Sequence, residues 1–329
     1  MSFNDIIGNE RIKGILRRSL GNDRIPNSLL FYGPKGVGKR EIALELAKSI
    51  NCEKKDDACG QCRSCQSIDK GNNPDVMIIK PENDKIKIEQ MRELKKIAYL
   101  KPMQKGKKVF IVNEAEKMNE EAANSLLKLL EEPPFYSYII LVTSNIFLIV
   151  PTIQSRCQLL GFSPISREDI EKELLKKGYE TEKAKVLALL ARGNLKKALD
   201  MEWDEISNKR KQAWMLLISI VNKERVSPWI KNYTFKRRNS IKEDIEQMME
   251  ILSSFCRDLI LLKVRGDVYL LMNPDYKEHI KKVEEKLDIN QSLDWLRKID
   301  YTISGLNRNL NTNLLVSSFL SYFLGSKHV

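Results

Sequence analysis

Histidine is nearly missing from this chain, with His279 and His328 the only two among 329 residues. Chemistry built on an imidazole base is therefore not expected. Long apolar runs are missing as well. The longest, Tyr138–Val142 and Ile146–Val150, fall far short of the roughly 20 residues that cross a bilayer and are expected to be buried strands. Met1-Ser2-Phe3-Asn4-Asp5 lacks the basic and apolar regions of a secretory leader, so a cytoplasmic protein without membrane partners is expected. There is no short-period repeat and no low-complexity linker. Negative charge is in deficit: 44 acidic residues face 56 Lys and Arg, a formal charge of +12. That excess favours an anionic partner, nucleic acid ahead of membrane because no basic amphipathic membrane helix stands out. A generally lysine-rich proteome would produce the same excess.

What is present begins with Ser28-Leu29-Leu30-Phe31-Tyr32, an apolar run of strand length. It leads into Gly33-Pro34-Lys35-Gly36-Val37-Gly38-Lys39, after which Ile42, Ala43, Leu46, Ala47 and Ile50 recur at helical spacing. Strand, glycine loop and helix are the context of a phosphate-binding loop. Gly33, Gly36 and Gly38 let backbone N–H groups close around phosphates, Lys39 reaches the outer phosphates, and the helix N-terminus adds its dipole. The complete pattern ends in a Ser or Thr that ligates Mg²⁺. Here that position is Arg40, a cation with no acceptor atom. A second gap follows at Asn113-Glu114, after the apolar run Val109–Val112. Nucleotide hydrolases keep an Asp for the metal and a Glu for water there. Asn113 withholds the anionic ligand while Glu114 remains. The loop could still hold ATP or ADP weakly without turning it over.

Cys52, Cys59, Cys62 and Cys65 place four thiols within fourteen residues. In a reducing compartment this spacing argues for a structural, four-coordinate Zn²⁺ site, against a redox or free-thiol role. Cys157 and Cys256 are isolated and are expected to be buried apolar residues.

With 329 residues, two or three domains are expected. A helix is expected across Asn4–Leu20. Val76–Ile79 reads as a strand, and Lys85-Ile86-Lys87-Ile88 opens a helix running to Ala98. A basic loop, Lys101–Lys108, follows. Asn119 should cap a helix with Glu120 and Glu121 in its first turn, ended by Pro133-Pro134. Strands alternating with helices imply a parallel sheet covered on both faces. From Ile165 to Trp203 short helices take over, and from Ile206 onward the chain reads as all helical. Ile241, Ile245, Met248, Leu252, Phe255 and Leu259 share a face there, as do Leu306, Leu310, Leu314, Phe319 and Phe323. The division expected is therefore 1–163 for the α/β P-loop domain with its Cys module at about 51–66, then 164–205 for a small helical lid, and 206–329 for an all-α domain.

Taken together, Gly33–Lys39, the four-Cys insert directly after its helix, Asn124–Pro134 (NSLLKLLEEPP) and Ser155-Arg156-Cys157 resemble the bacterial clamp-loader subunits of the AAA+ class over the whole chain. Within that class Arg40 and Asn113 resemble the member that lacks a complete motor site. The resemblance implies an α/β AAA+ domain with a zinc insert, a helical lid and an all-α C-terminal collar that includes Asn307–Leu315. It implies a hetero-pentameric ring with gamma/tau and delta subunits, the sliding clamp and primed DNA as partners, and no hydrolysis by this chain itself. Arg156 corresponds to an arginine finger that enters a neighbour's nucleotide site; the alternative is an Arg paired to a carboxylate of its own chain. Lys196, after Gly193-Asn194, stands where motor subunits place an Arg. Lys85, Lys87 and Arg92 lie in the region that faces DNA, with a solvated basic face as the alternative. Two other functions stay open: an active ATPase subunit of the gamma/tau kind using Lys39 and Glu114, and a zinc-dependent DNA-binding protein with a vestigial P-loop fold.

Overall fold

The computed structural model describes residues 2–54, 57–104, 106–222, 238–266, 270–308 and 310–324. The side chains of Ile241 and Phe323 and the residue His328 lie outside the described set. Two compact units are present, Met1–Glu173 with Arg192–Lys197, and Leu174–Ala191 with Ala198–Val329.

The first unit is built on five parallel strands. These are β1 (Ser28–Tyr32), β2 (Val76–Ile79), β3 (Lys108–Asn113), β4 (Ser137–Thr143) and β5 (Gln158–Gly161), in the order β2-β3-β4-β1-β5. The central strands are apolar at nearly every position because both faces are covered, as parallel sheets require. Leu30, Phe110, Val112, Ile139 and Leu141 point to one face, where they meet Met91, Leu94 and Ala98 of α4 (Ile88–Ala98) and Ala122, Leu126, Leu129 and Leu130 of α5 (Glu120–Glu131). Helices α1 (Glu10–Gly21) and α2 (Lys39–Asn51) pack on each other, and α2 touches β3 and β4. Asn119 Oδ1 accepts from the Ala122 N–H at 2.9 Å, so the expected N-cap of α5 is in place.

Three local expectations are corrected. Asn4–Leu20 is not one helix: Ser2 caps a short turn at Phe3–Asp5, the chain reverses through Gly8 and Asn9 at φ of 74° and 53°, and α1 starts only at Glu10. Lys85 does not open α4. It exchanges backbone hydrogen bonds with Glu82 (2.8 and 3.1 Å), and the helix starts after Lys87, whose N–H is capped by Gln90 Oε1 at 2.9 Å. Ile146–Val150 is not a buried strand. Asn145 Oδ1 takes the Phe147 N–H at 3.0 Å and forces a turn that leaves Phe147 92% exposed. Pro151 then starts α6 (Pro151–Gln154), and the strand the sequence hides, β5, follows.

In the second unit the described residues form helices, as expected. Ile206, Ala213, Leu216, Leu217 and Ile220 of the helix Trp203–Val221 are buried. So are Ile245, Met248, Leu252, Phe255 and Leu259 of Arg238–Arg265. Buried Arg210 donates to both carboxylate oxygens of Asp275 (2.8 and 2.6 Å) and to Asn273 Oδ1 at 3.0 Å, so its charge is paired and its packing is structural. His279 stacks in an aromatic group with Trp214 and Tyr276. Among the described residues no helix is long and apolar enough to cross a membrane.

Candidate phosphate-loop and cysteine sites

The glycine loop runs from the end of β1 to the start of α2, which Gly38 precedes in the left-handed conformation at φ 89°. At Gly33 a side chain would meet the Phe162 carbonyl at 2.4 Å, so only glycine lets the loop lie against the chain leaving β5. At Gly36, φ is 71° and an added Cβ would sit 1.7 Å from Asn194 Oδ1. Asn194 caps the short helix Leu195–Asp200 by accepting from the Lys197 N–H at 2.9 Å. On the N-terminal side, Asn9 Nδ2 donates to the carbonyls of Val37 (3.2 Å) and Ser163 (3.3 Å). The loop is thus held from three directions.

Lys39 is turned back onto this loop. Its Nζ donates to the carbonyls of Gly33 (2.6 Å) and Pro34 (2.5 Å), and the residue is buried. Burial pulls the ammonium down to about 8, with Glu116 and Glu41 acting against that and Lys35 adding to it. Glu116 was not singled out by the sequence. Its Oε1 accepts from Ser144 Oγ (2.5 Å) and the Ser144 N–H (3.1 Å), while Oε2 is buried without a partner. Burial alone would raise this carboxyl, but the Ser144 and Thr143 hydrogen bonds outweigh it and hold it below the ordinary range. Glu114, at the end of β3 beyond Asn113, has φ 54° and ψ 50° and is ion-paired to Lys117 at 2.6 Å. Arg40 is exposed in the first turn of α2, and Lys196 is exposed in the first turn of the helix Leu195–Asp200. From that end of the chain it is Asn194, rather than Lys196, that lies against the phosphate loop.

The four cysteines converge. The Sγ atoms of Cys52, Cys59, Cys62 and Cys65 all lie within 4.8 Å of one another. Four thiolates around a tetrahedral ion at about 2.3 Å would be roughly 3.8 Å apart, so the donors fit a metal with small contraction. Backbone N–H groups already point at the sulfurs: Lys54 and Cys59 at Cys52 (3.4 and 3.3 Å), Cys62 at Cys59 (3.3 Å), and Cys65 at Cys62 (3.4 Å). N–H groups of Gln61 and Cys62 bring Cys59 down to about 6, whereas burial raises Cys52 and Cys65. The module is seated on α2 and α1. Lys48 bridges Glu45 (2.7 Å) and Asp69 (3.1 Å) of α3 (Arg63–Asp69), Ser49 Oγ accepts from the Ala58 N–H at 3.1 Å, and Arg17 forks onto Asp57. Cys256 is buried as expected, whereas Cys157 is half-buried and packs at the edge of the core; burial pushes both up to about 12.

Arg156 follows α6. Its Nη2 meets Glu131 Oε1 at 2.5 Å and its Nη1 donates to the Thr152 carbonyl at 2.9 Å. Within this chain, then, the pairing to a carboxylate is the one formed. Lys85, Lys87 and Arg92 are all exposed, and Lys87 pairs with Glu82 at 3.2 Å.

Residues 8–166 match the family model described as DNA polymerase III, delta subunit. The chain is 36% identical over 202 residues to DNA polymerase III subunit delta′ of Bacillus subtilis, covering 61% of each. It is also 36% identical over 207 residues to subunit gamma of Buchnera aphidicola from Acyrthosiphon pisum, covering 60% of this chain and 57% of that protein. The chain thus spans about three fifths of the length of these curated relatives. Among solved structures, a DNA polymerase III gamma subunit-related protein of Thermotoga maritima aligns with a TM-score of 0.46 at 19% identity, over 96% of this chain and 98% of that one. Over residues 8–166, then, the chain is similar to the delta-type subunits of DNA polymerase III.

Proposed function

We propose that this chain is a clamp-loader subunit of DNA polymerase III that does not hydrolyse ATP and supplies Arg156 to the nucleotide site of a neighbouring subunit. Overall identity does not separate a delta′ role from a gamma role, since the relatives of both kinds are equally similar. The residues at the site favour the delta′ role. The observation that carries the reading is the phosphate loop itself: Lys39 is satisfied by the carbonyls of Gly33 and Pro34. The two positions that would hold Mg²⁺ are Arg40 and Asn113. Phosphoryl transfer rests on positioning and on a metal that neutralises developing charge. Neither residue supplies an anionic or hydroxyl ligand, and Glu114 is engaged by Lys117. Gly33, Gly36, Gly38 and Lys39 would accept ATP or ADP weakly, and only after Lys39 leaves its carbonyls.

In this reading Cys52, Cys59, Cys62 and Cys65 hold a structural Zn²⁺, supported by the convergence of their sulfurs and by the soft donor set. The partners are gamma/tau and delta subunits in a hetero-pentameric ring, the sliding clamp and primed DNA, with Lys85, Lys87 and Arg92 toward the DNA. The functional division is 1–163, with 164–205 as the lid and 206–329 as the collar.

The test is ATP turnover by the isolated chain with Mg²⁺, beside the double variant Arg40→Thr, Asn113→Asp. No turnover by the unmodified chain supports the reading. Turnover as fast as a competent motor subunit would make this an active ATPase and overturn it.

A further inference from the structure

The guanidinium of Arg156 is held by its own chain but incompletely satisfied. Nη2 meets Glu131 Oε1 at 2.5 Å, and Nη1 donates to the Thr152 carbonyl at 2.9 Å and lies 3.5 Å from Ser155 Oγ. Nε is buried with no acceptor. Buried Arg210 has an open Nε as well, so what sets Arg156 apart is the exposure of its ion pair. Glu131 is the last residue of α5, directly before Glu132-Pro133-Pro134, and its side chain is 53% exposed against 29% for Arg156. An ion pair this open to water contributes little stability and weakens with salt. The pair is therefore strong enough to direct the side chain and weak enough to be exchanged for a more highly charged oxyanion. A phosphate offers that, together with acceptors for two parallel N–H groups at once.

We propose that Glu131 is a positioning residue that parks Arg156 in cis, and that Arg156 exchanges Glu131 for a nucleotide phosphate of the neighbouring subunit when the ring closes on its target. This rests on the reading of Arg156 as a residue acting in trans. Glu131 touches neither nucleotide nor metal. It sets how often the arginine is available before clamp and DNA complete the site, and so separates idling turnover from stimulated turnover.

The experiment compares reconstituted loaders whose single altered subunit is this chain: wild type, Glu131→Gln, Glu131→Asp, Arg156→Ala and the double variant Glu131→Gln, Arg156→Ala. ATP turnover is read with and without saturating clamp and primed DNA, at low and moderate salt. Parking predicts that Glu131→Gln raises unstimulated turnover several-fold, about fivefold at most for a half-exposed pair, and leaves the stimulated rate unchanged. The gain shrinks as salt rises, Glu131→Asp returns toward wild type, and the double variant matches Arg156→Ala. Direct support comes from the isolated chain, where NMR of the Arg156 guanidinium should show faster rotation in Glu131→Gln. If Arg156→Ala lowers turnover but Glu131→Gln idles like wild type, the trans role stands and parking is overturned. If Glu131→Gln lowers the stimulated rate, Glu131 supports the active position instead, which also overturns parking. Wild-type turnover by Arg156→Ala overturns both.

Discussion

Lys39 Nζ lies 2.6 Å from the Gly33 carbonyl, six residues back along its own loop. An ammonium that a bound phosphate would otherwise satisfy is satisfied here by the backbone. Because burial lowers its pKa from 10.5 to about 8, the unfolded chain binds this proton more tightly than the folded one. The Lys39 contribution to stability therefore rises with pH between about 8 and about 10.5 and is flat outside that window. NMR titration of the Lys39 side chain should give a midpoint near 8. A midpoint near the ordinary lysine value would mean that burial does not outweigh the two carbonyl hydrogen bonds, and would remove this pH dependence.

Gly36 faces Asn194 across 158 residues of sequence, and the contact predicts a two-part cost. Gly36→Ala places a methyl 1.7 Å from Asn194 Oδ1 at a φ of 71°. It should destabilise the chain by about 1–3 kcal/mol, combining left-handed strain with displacement of the asparagine. Adding Asn194→Gly should recover the steric part and leave the backbone strain of about 1–2 kcal/mol. Urea denaturation of the two variants separates these contributions. Equal losses in both would mean that Asn194 does not press on the loop.

Protein purified without chelator should carry close to one equivalent of zinc, read by elemental analysis. Cys65→Ser should lose it, since a buried hydroxyl is a poor substitute for a thiolate. Structural zinc in small modules is worth roughly 10–16 kcal/mol, so stripping the metal should unlock the segment around Cys52–Cys65. Hydrogen exchange would show that loss spreading into α2 through Lys48, which bridges Glu45 and Asp69. A folded, zinc-free protein with an unchanged exchange pattern would remove the metal from the account.

Replacing exposed Lys85 and Lys87 by Ala should weaken binding of primed DNA by the assembled loader. Each lost phosphate contact flattens the log–log salt dependence by about one unit. Lys87 already has Glu82 at 3.2 Å, so it must leave that partner to reach a phosphate and should contribute less than Lys85. An unchanged slope would make this face a solvated one.

Much of the first unit was readable because parallel strands buried on both faces leave continuous apolar runs, as at Ser28–Tyr32 and Ser137–Thr143. The cysteine cluster was readable because its four thiols lie close together along the chain, so local spacing alone brings them to one place. What escaped is non-local or contrary to hydropathy. Strand β5 is a short edge strand with only Leu160 buried, so its sequence carries no strong apolar signal. Ile146–Val150 is apolar yet turns, because one Asn145 side chain outweighs hydropathy locally. Asn194 against Gly36, Glu116 on Ser144 and Glu131 on Arg156 are contacts between distant segments, and no periodicity encodes them.

The central claim is that this chain acts on a neighbour's nucleotide through Arg156. An arginine supplied in trans is worth about 10³–10⁵ in rate where the mechanism is established, because it meets charge that develops only in the transition state. The measurement is steady-state ATP turnover of a reconstituted loader carrying Arg156→Ala in this subunit alone, at saturating clamp and primed DNA, with ring assembly verified on the same sample. The account predicts an intact ring, a clear partial loss of stimulated turnover as one of several sites fails, and poor rescue by Arg156→Lys, whose ammonium lacks the planar fork. Full wild-type turnover and clamp loading by the Ala variant would contradict it and leave Arg156 as the partner of Glu131 and nothing more.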